Sequence, residues 1–176
     1  LWHSSAASDV YKRQILYKPL YRQYAYTKGR SCDSALSEVI HYIEKGFVYK
    51  KYTLAVSLDC SDAFDNLTFD SSLRGLANNG ASPTIIKWYS NYLSGRSVTS
   101  SFHGENKTIY PTKGSPQGGV LSPLVWNLAI NDLLIQFKKG PVRALGYADD
   151  VIFLTKVIDP STMTDLMQSA INKALI

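Results

Sequence analysis

With 176 residues, 45% of them hydrophobic, and a net charge of +5, the chain can bury one core and suits a polyanionic partner. It holds no run of about 18 apolar residues, which excludes a membrane-spanning helix. Its two cysteines, Cys32 and Cys60, have no paired spacing, which excludes a disulfide scaffold or zinc ribbon and reads as reduced thiols of an intracellular protein.

Residues 1–14 do not share the patterning of the rest. Asp9-Val10-Tyr11-Lys12-Arg13-Gln14 back-translates to GAT-GTG-TAT-AAG-AGA-CAG, which resembles a transposase end sequence used as an adapter in DNA sequencing. Residues 1–14 are expected to be an assembly artefact, disordered and outside the fold, with a genuine basic N-terminal arm as the alternative. Residues 15–30 interleave aromatics with cations: Tyr17, Lys18, Tyr21, Arg22, Tyr24, Tyr26, Lys28 and Arg30. That mixture suits base stacking and phosphate contact, and equally an amphipathic surface.

Ser31 or Asp33 can cap a helix that runs to about Val48, with Leu36, Val39, Ile40, Ile43 and Phe47 as its apolar face. The run from Thr53 to Asp59 is an apolar strand that ends in an acid. Thr68 caps a second helix with Phe69, Leu73 and Leu76 inward, stopped by Asn78-Asn79-Gly80. Ser82-Pro83 opens a third helix, with Ile85, Ile86, Tyr89 and Leu93 apolar and Gly95 at its end. Residues 96–102 and 107–112 read as a hairpin turning at His103–Asn106. A glycine-rich loop, residues 113–120, leads to Ser122-Pro123 and a long helix to about Phe137. The last helix starts at Asp159-Pro160-Ser161.

Between the last two helices, Tyr147-Ala148-Asp149-Asp150 precedes the β-prone run Val151–Thr155. This reads as a hairpin with two carboxylates at its turn. Clustered carboxylates at a strand tip are costly unless a cation joins them, and Mg²⁺ is the usual cation for such oxygens. A solvated Asp-Asp turn is the alternative. If Asp59, Asp149 and Asp150 form one site, their strands must be sheet neighbours with the acidic ends at the same edge.

Three stretches together resemble a known family. Leu58-Asp59-Cys60-Ser61-Asp62-Ala63-Phe64-Asp65 is similar to the A motif of reverse transcriptases. Residues 114–123, Gly-Ser-Pro-Gln-Gly-Gly-Val-Leu-Ser-Pro, are similar to the B motif, and Tyr147-Ala148-Asp149-Asp150 to the C motif. The wording is closest to LINE-type non-LTR retrotransposons, particularly the jockey-like group, and Lys28–Asp33 and Trp88–Leu93 also resemble it.

The resemblance implies an α+β polymerase palm over residues 15–176, a small antiparallel sheet with helices packed on one face, plus partial fingers. It implies RNA-directed DNA synthesis by two-metal nucleotidyl transfer from a dNTP to a primer 3′-hydroxyl during retrotransposition. Asp59 and Asp149 would be the main Mg²⁺ ligands, with Asp150 auxiliary, the Cys60 carbonyl assisting and Mn²⁺ as a substitute ion. The backbone of Asp62 and Ala63 would meet the triphosphate. Phe64 would pack on the sugar and exclude a 2′-hydroxyl, and Gln117 and Gly118 would line the nucleotide and template pocket. Asp65 reads as a local cap or turn residue. The Ca²⁺-loop alternative for residues 59–65 fails, because the acids miss the alternate positions such a loop uses.

The implied partners are an RNA template, a DNA primer and dNTPs, with no membrane and with the oligomeric state left open. The implied setting is cytoplasm and nucleus, as a ribonucleoprotein. The thumb and primer grip of the family are not recognisable, so the chain reads as a polymerase fragment that is inactive alone. The rival readings are a group II intron or retron reverse transcriptase, and a non-catalytic RNA-binding relic of a retroelement. The intact Asp59, Asp149 and Asp150 argue against the relic.

Overall fold

The structure, a computed structural model, describes residues 21–174. The segment 1–14, and Tyr17 and Lys18 of the aromatic stretch, lie outside the described residues. In chain order the elements are α1 (Cys32–Val48), β1 (Tyr52–Asp59), α2 (Ala63–Asn66), α3 (Phe69–Asn78), α4 (Pro83–Ser94), β2 (Val98–Phe102), β3 (Glu105–Ile109), α5 (Ser122–Ile135), β4 (Val142–Tyr147), β5 (Asp150–Val157) and α6 (Ser161–Ala174). They fall into two compact units, one of residues 62–129 and the other of residues 21–61 with 130–174.

The second unit holds a three-stranded antiparallel sheet in the order β1-β5-β4. Side chains alternate along β5, so Ile152, Leu154 and Lys156 share one face and Val151, Phe153 and Thr155 the other. On the first face, Leu154 and Leu145 pack with Tyr24 and Tyr42, and Ala35, Val39 and Ile152 close around them. Lys156 spans that packing, with its ammonium 3.8 Å from the Tyr42 ring centre and donating to the Tyr42 carbonyl at 3.2 Å. On the second face, Phe137 meets Phe153 edge-on at 5.1 Å, and Lys173 of α6 lies over the Phe137 ring.

Helix cover on one face is therefore present, as expected, and the other face is packed as well. The sequence carries the reason: Val151-Ile152-Phe153-Leu154 is apolar at four successive positions, as in a strand buried on both sides.

The inward face of α1 is not the one its large apolar residues suggest. Ser31 caps it, accepting from the Ser34 amide at 3.1 Å. Val39 turns inward as expected, but with Ala35, Tyr42 and Gly46; Leu36, Ile40 and Phe47 are exposed. The helix sits too close to β1 for bulk. A Cβ on Gly46 would lie 2.2 Å from Thr53 Oγ1, so the absence of a side chain at this one position is what lets the two elements meet there.

In the unit of residues 62–129 the predicted caps are in place. Thr68 accepts from the Ser71 amide at 3.1 Å, and Ser82 accepts from the Ile85 amide at 3.4 Å. Leu76, Ile85, Tyr89, Leu93, Val125 and Leu128 are buried in this unit. The β2–β3 turn is tighter than expected. His103 and Gly104 alone form it, with φ of +48° and +84°, and Phe102 pairs with Glu105. Two positive φ values in a two-residue loop are the signature of a type I′ turn. Glu105 and Asn106 thus belong to the strand, where Thr99 and Thr108 also share a 2.8 Å hydroxyl contact.

Candidate active site

The expected neighbourhood of the acidic strand ends is present. β1 pairs antiparallel with β5 along its whole length, and the last pair is Asp59 with Asp150. Tyr147 is the partner of Asp150 on the other side. Asp59, Asp150 and Tyr147 therefore cross the sheet on one face, beside exposed Ser57. The turn between β4 and β5 has two residues, Ala148 and Asp149. Ala148 has φ +54° and Asp149 is not among the positive-φ residues, which is the φ pattern of a type II′ hairpin.

The Cys60 amide donates to the Asp149 carbonyl at 3.3 Å. This carries the β1–β5 pairing one step past the strand ends and fixes the Asp149 backbone against the residue after Asp59. All three carboxylates are exposed. Burial raises the Cys60 thiol's pKa, and the charges of Asp59, Asp149 and Asp150 raise it further. One thiol thus feels all three carboxylates.

Two like charges directly opposite on neighbouring strands repel, and a cation relieves that. Among the described residues, no group of three or more His, Cys, Asp or Glu side chains is placed to hold a metal ion. Mg²⁺ does not ask for such a group. It takes hard oxygens, keeps several waters, and is commonly held by one or two carboxylates together with substrate phosphates. An open pair of strand-tip carboxylates with a third in the turn fits that demand.

The other predicted residues lie in the unit of residues 62–129. Asp62 adopts φ +50°, a left-handed conformation that Asp tolerates, and its carbonyl accepts from the Asn66 amide at 2.8 Å. Ala63 is buried, and Phe64 is half-buried with its ring 5.8 Å from that of Trp126. The glycine-rich loop lies along α2. The Gly114 amide donates to the Leu67 carbonyl and the Ser115 amide to the Phe64 carbonyl, both at 2.7 Å. Such carbonyls at a helix end have no partner within the helix, so the loop satisfies them. Lys113 Nζ donates to Asn66 Oδ1 at 2.8 Å, and Ser122 Oγ donates to the Pro116 carbonyl at 2.6 Å. Gln117 and Gly118 stand exposed at the loop's crest.

Two residues of this unit escaped the sequence reading. Asp65, expected to be a cap or turn residue, accepts from Gln117 Nε2 at 3.4 Å and so ties the stretch after β1 to the loop. Arg96, read as the start of a strand, reaches the loop as well. No local pattern signals either contact, because the partners are 52 and 18 residues away.

The aromatic and basic stretch is only partly a surface. Tyr24 is 8% exposed, and its hydroxyl donates to Glu38, which also pairs with Arg22 at 2.8 Å. Burial and the Glu38 contact push the Tyr24 pKa to about 12. Tyr26 and Lys28 are the exposed members of the described part. Tyr24 and Arg22 are thus occupied in holding residues 21–30 to α1 and do not form a free stacking ladder.

Residues 10–174 match the family described as reverse transcriptase (RNA-dependent DNA polymerase). The Retrovirus-related Pol polyprotein from type-1 retrotransposable element R1 of Bradysia coprophila is 32% identical over 130 residues, covering 73% of this chain and 12% of that protein. The RNA-directed DNA polymerase from mobile element jockey of Drosophila funebris is 25% identical over 152 residues, covering 83% of this chain and 16% of that protein. The chain thus spans about an eighth to a sixth of the length of these curated relatives. In three dimensions, the structure of apo telomerase from Candida tropicalis superposes with a TM-score of 0.71 at 10% identity, covering 94% of this chain and 33% of that one. At that identity the likeness is one of fold, and it bears out the palm-like α+β expectation.

Proposed function

This chain belongs to the reverse transcriptase family, and on that premise we propose that Asp59, Asp149 and Asp150 are the metal-binding acids of an RNA-directed DNA polymerase. The observation that carries the reading is the pairing of Asp59 with Asp150 at the sheet end that also bears the Asp149 turn. The reaction is transfer of a nucleotide from a dNTP to a primer 3′-hydroxyl along an RNA template. The chemistry that Mg²⁺ or Mn²⁺ supplies when bound is activation of the attacking hydroxyl and neutralisation of the triphosphate.

The protein's own residues hold and orient. Asp59 and Asp149 supply the principal carboxylates, Asp150 a further one, and the Cys60 carbonyl an additional oxygen. The backbone at Asp62 and Ala63 faces the triphosphate, Phe64 the sugar, and Gln117 with Gly118 the nucleotide and template. Phosphoryl transfer depends mainly on positioning and charge stabilisation. Turnover is accordingly assigned to the longer polypeptide and not to these 176 residues by themselves. That polypeptide is proposed to act as a ribonucleoprotein in cytoplasm and nucleus.

The test replaces the matching segment of an R1-type polymerase with this chain and assays primer extension on an RNA template. Extension is expected, and is expected to vanish when Asp59, Asp149 and Asp150 are all changed to Asn. Extension that survives the triple substitution would defeat the reading.

A further inference from the structure

Behind the loop that carries Gln117, three polar side chains are sunk into the unit of residues 62–129. Arg96 Nη2 donates to the Gly114 carbonyl at 2.6 Å, and its guanidinium lies 5.6 Å from the Phe69 ring centre. Its Nε is buried and makes no hydrogen bond of its own. Tyr89 and Ser115 are 1% and 3% exposed, and their hydroxyls likewise lack good hydrogen-bond geometry. The three are neighbours. The Tyr89 pKa is raised by burial, while the Ser115 hydroxyl and the Arg96 charge draw it back down.

Gly114 is thereby held from two sides. Its amide is fixed to the Leu67 carbonyl at 2.7 Å and its carbonyl to Arg96 at 2.6 Å. The peptide planes on either side of it cannot rotate without breaking one of these bonds. Gln117 follows three residues later, held in turn by Asp65 at 3.4 Å. The Asp65 carboxylate can only accept, so it selects the amide NH₂ of Gln117 and leaves the Gln117 carbonyl oxygen out of this contact.

We propose that Arg96 is a positioning residue for the nucleotide-facing loop, clamping Gly114 so that Gln117 and Gly118 are presented in one conformation. The assignment of a nucleotide to that loop rests on the function proposed above; the clamp itself rests on the two Gly114 hydrogen bonds and the approach of Arg96 to Phe69. A lysine cannot replace Arg96. The planar guanidinium donates to the Gly114 carbonyl and lies over the Phe69 ring at once from a rigid fork, a geometry that a compact ammonium does not reproduce.

The experiment compares the chain with Arg96→Lys and Arg96→Met. Backbone hydrogen exchange is followed at Gly114, Ser115, Gln117, Gly118 and Gly119. Dissociation constants are measured for Mg²⁺ with a dNTP and for Mn²⁺ alone. Both variants are expected to speed exchange in this loop selectively and to weaken dNTP binding by about tenfold or more, as misplacement of a binding group does. Mn²⁺ binding, assigned to Asp59, Asp149 and Asp150, should stay unchanged. Arg96→Lys keeps a long cationic side chain, so it serves if Arg96→Met fails to fold. Unchanged loop exchange, or a rise spread evenly over the whole unit, would overturn the clamp. Faster loop exchange with unaltered dNTP affinity would reduce Arg96 to a stabilising contact and overturn the positioning role. A wild-type chain that binds no dNTP but loosens its loop in both variants would uphold the clamp and count against the polymerase reading instead.

Discussion

Asp59 is the direct cross-strand partner of Asp150. Two exposed carboxylates so placed repel, and cross-strand pairs of this kind are worth roughly 0.2–1 kcal/mol. Asp150→Asn removes the repulsion. In metal-free buffer of low ionic strength it is expected to raise stability by about 0.5 kcal/mol, an effect that physiological salt will screen. The same substitution should reduce, without abolishing, the extra stability that Mg²⁺ is expected to give the wild type, because a ligand that binds only the folded state stabilises it and Asp59 and Asp149 remain. Urea midpoints with and without Mg²⁺ check both halves. A metal-free variant less stable than wild type would mean that the pair is not in repulsion.

Gly114 and Gly118 both have positive φ, +89° and +80°, but their surroundings differ. A Cβ on Gly114 would lie 2.9 Å from the Asp65 carbonyl oxygen, whereas one on Gly118 would meet nothing within 4 Å. Gly118→Ala should therefore cost only the backbone term of about 1 kcal/mol, and Gly114→Ala more, up to about 3 kcal/mol. Equal losses in chemical denaturation would show that the loop does not press on α2 at this point.

Phe64 is half-buried, with its ring tilted against Trp126 at 5.8 Å. If the exposed part of the ring meets the sugar, shortening it opens room for a 2′-hydroxyl. In an R1-type polymerase carrying this chain, Phe64→Val is expected to raise ribonucleotide use relative to deoxynucleotide by roughly 10–200-fold, the range for a steric contact of this size. Single-nucleotide incorporation kinetics decide it. An unchanged ratio would return Phe64 to packing against Trp126 alone.

The parts of this molecule legible from sequence are those written locally. Caps at Ser31, Thr68 and Ser82 bond within three residues, so their signals are complete on the page. The acidic hairpin was legible for the same reason, and the family motifs ordered it relative to Asp59. What stayed hidden depends on partners far along the chain. Helical spacing marked Leu36, Ile40 and Phe47 as part of α1's inner face, yet those three are exposed, and Gly46 meets β1 at a point where a Cβ would lie 2.2 Å from Thr53 Oγ1. Asp65 and Arg96 carry no pattern of their own, and only the folded loop shows what they hold.

Tyr24 provides a test at high pH. Its hydroxyl donates to Glu38, and burial first, then that contact and the Glu38 charge, raise its pKa from 10.0 to about 12. A phenol that holds its proton more tightly when folded contributes stability that is fully present below the unfolded value. That contribution fades as pH rises through the folded one. The window is therefore pH 10 to about 12. Other groups, lysines above all, also titrate there, so the wild-type curve by itself does not isolate Tyr24. Tyr24→Phe does. It removes the ionisation and keeps the ring against Tyr42, Leu145 and Leu154. It also strips Glu38 of a donor, although Arg22 remains beside that carboxylate at 2.8 Å. At pH 8 the variant should be less stable by about 1 kcal/mol, the usual worth of such a hydrogen bond. Between pH 10 and about 12 the wild type should lose more stability than the variant, so the two curves converge. Urea unfolding at stepped pH measures the gap. A gap that stays constant across the window would mean that the Tyr24 phenol does not titrate there, and that its contact with Glu38 does not govern its ionisation.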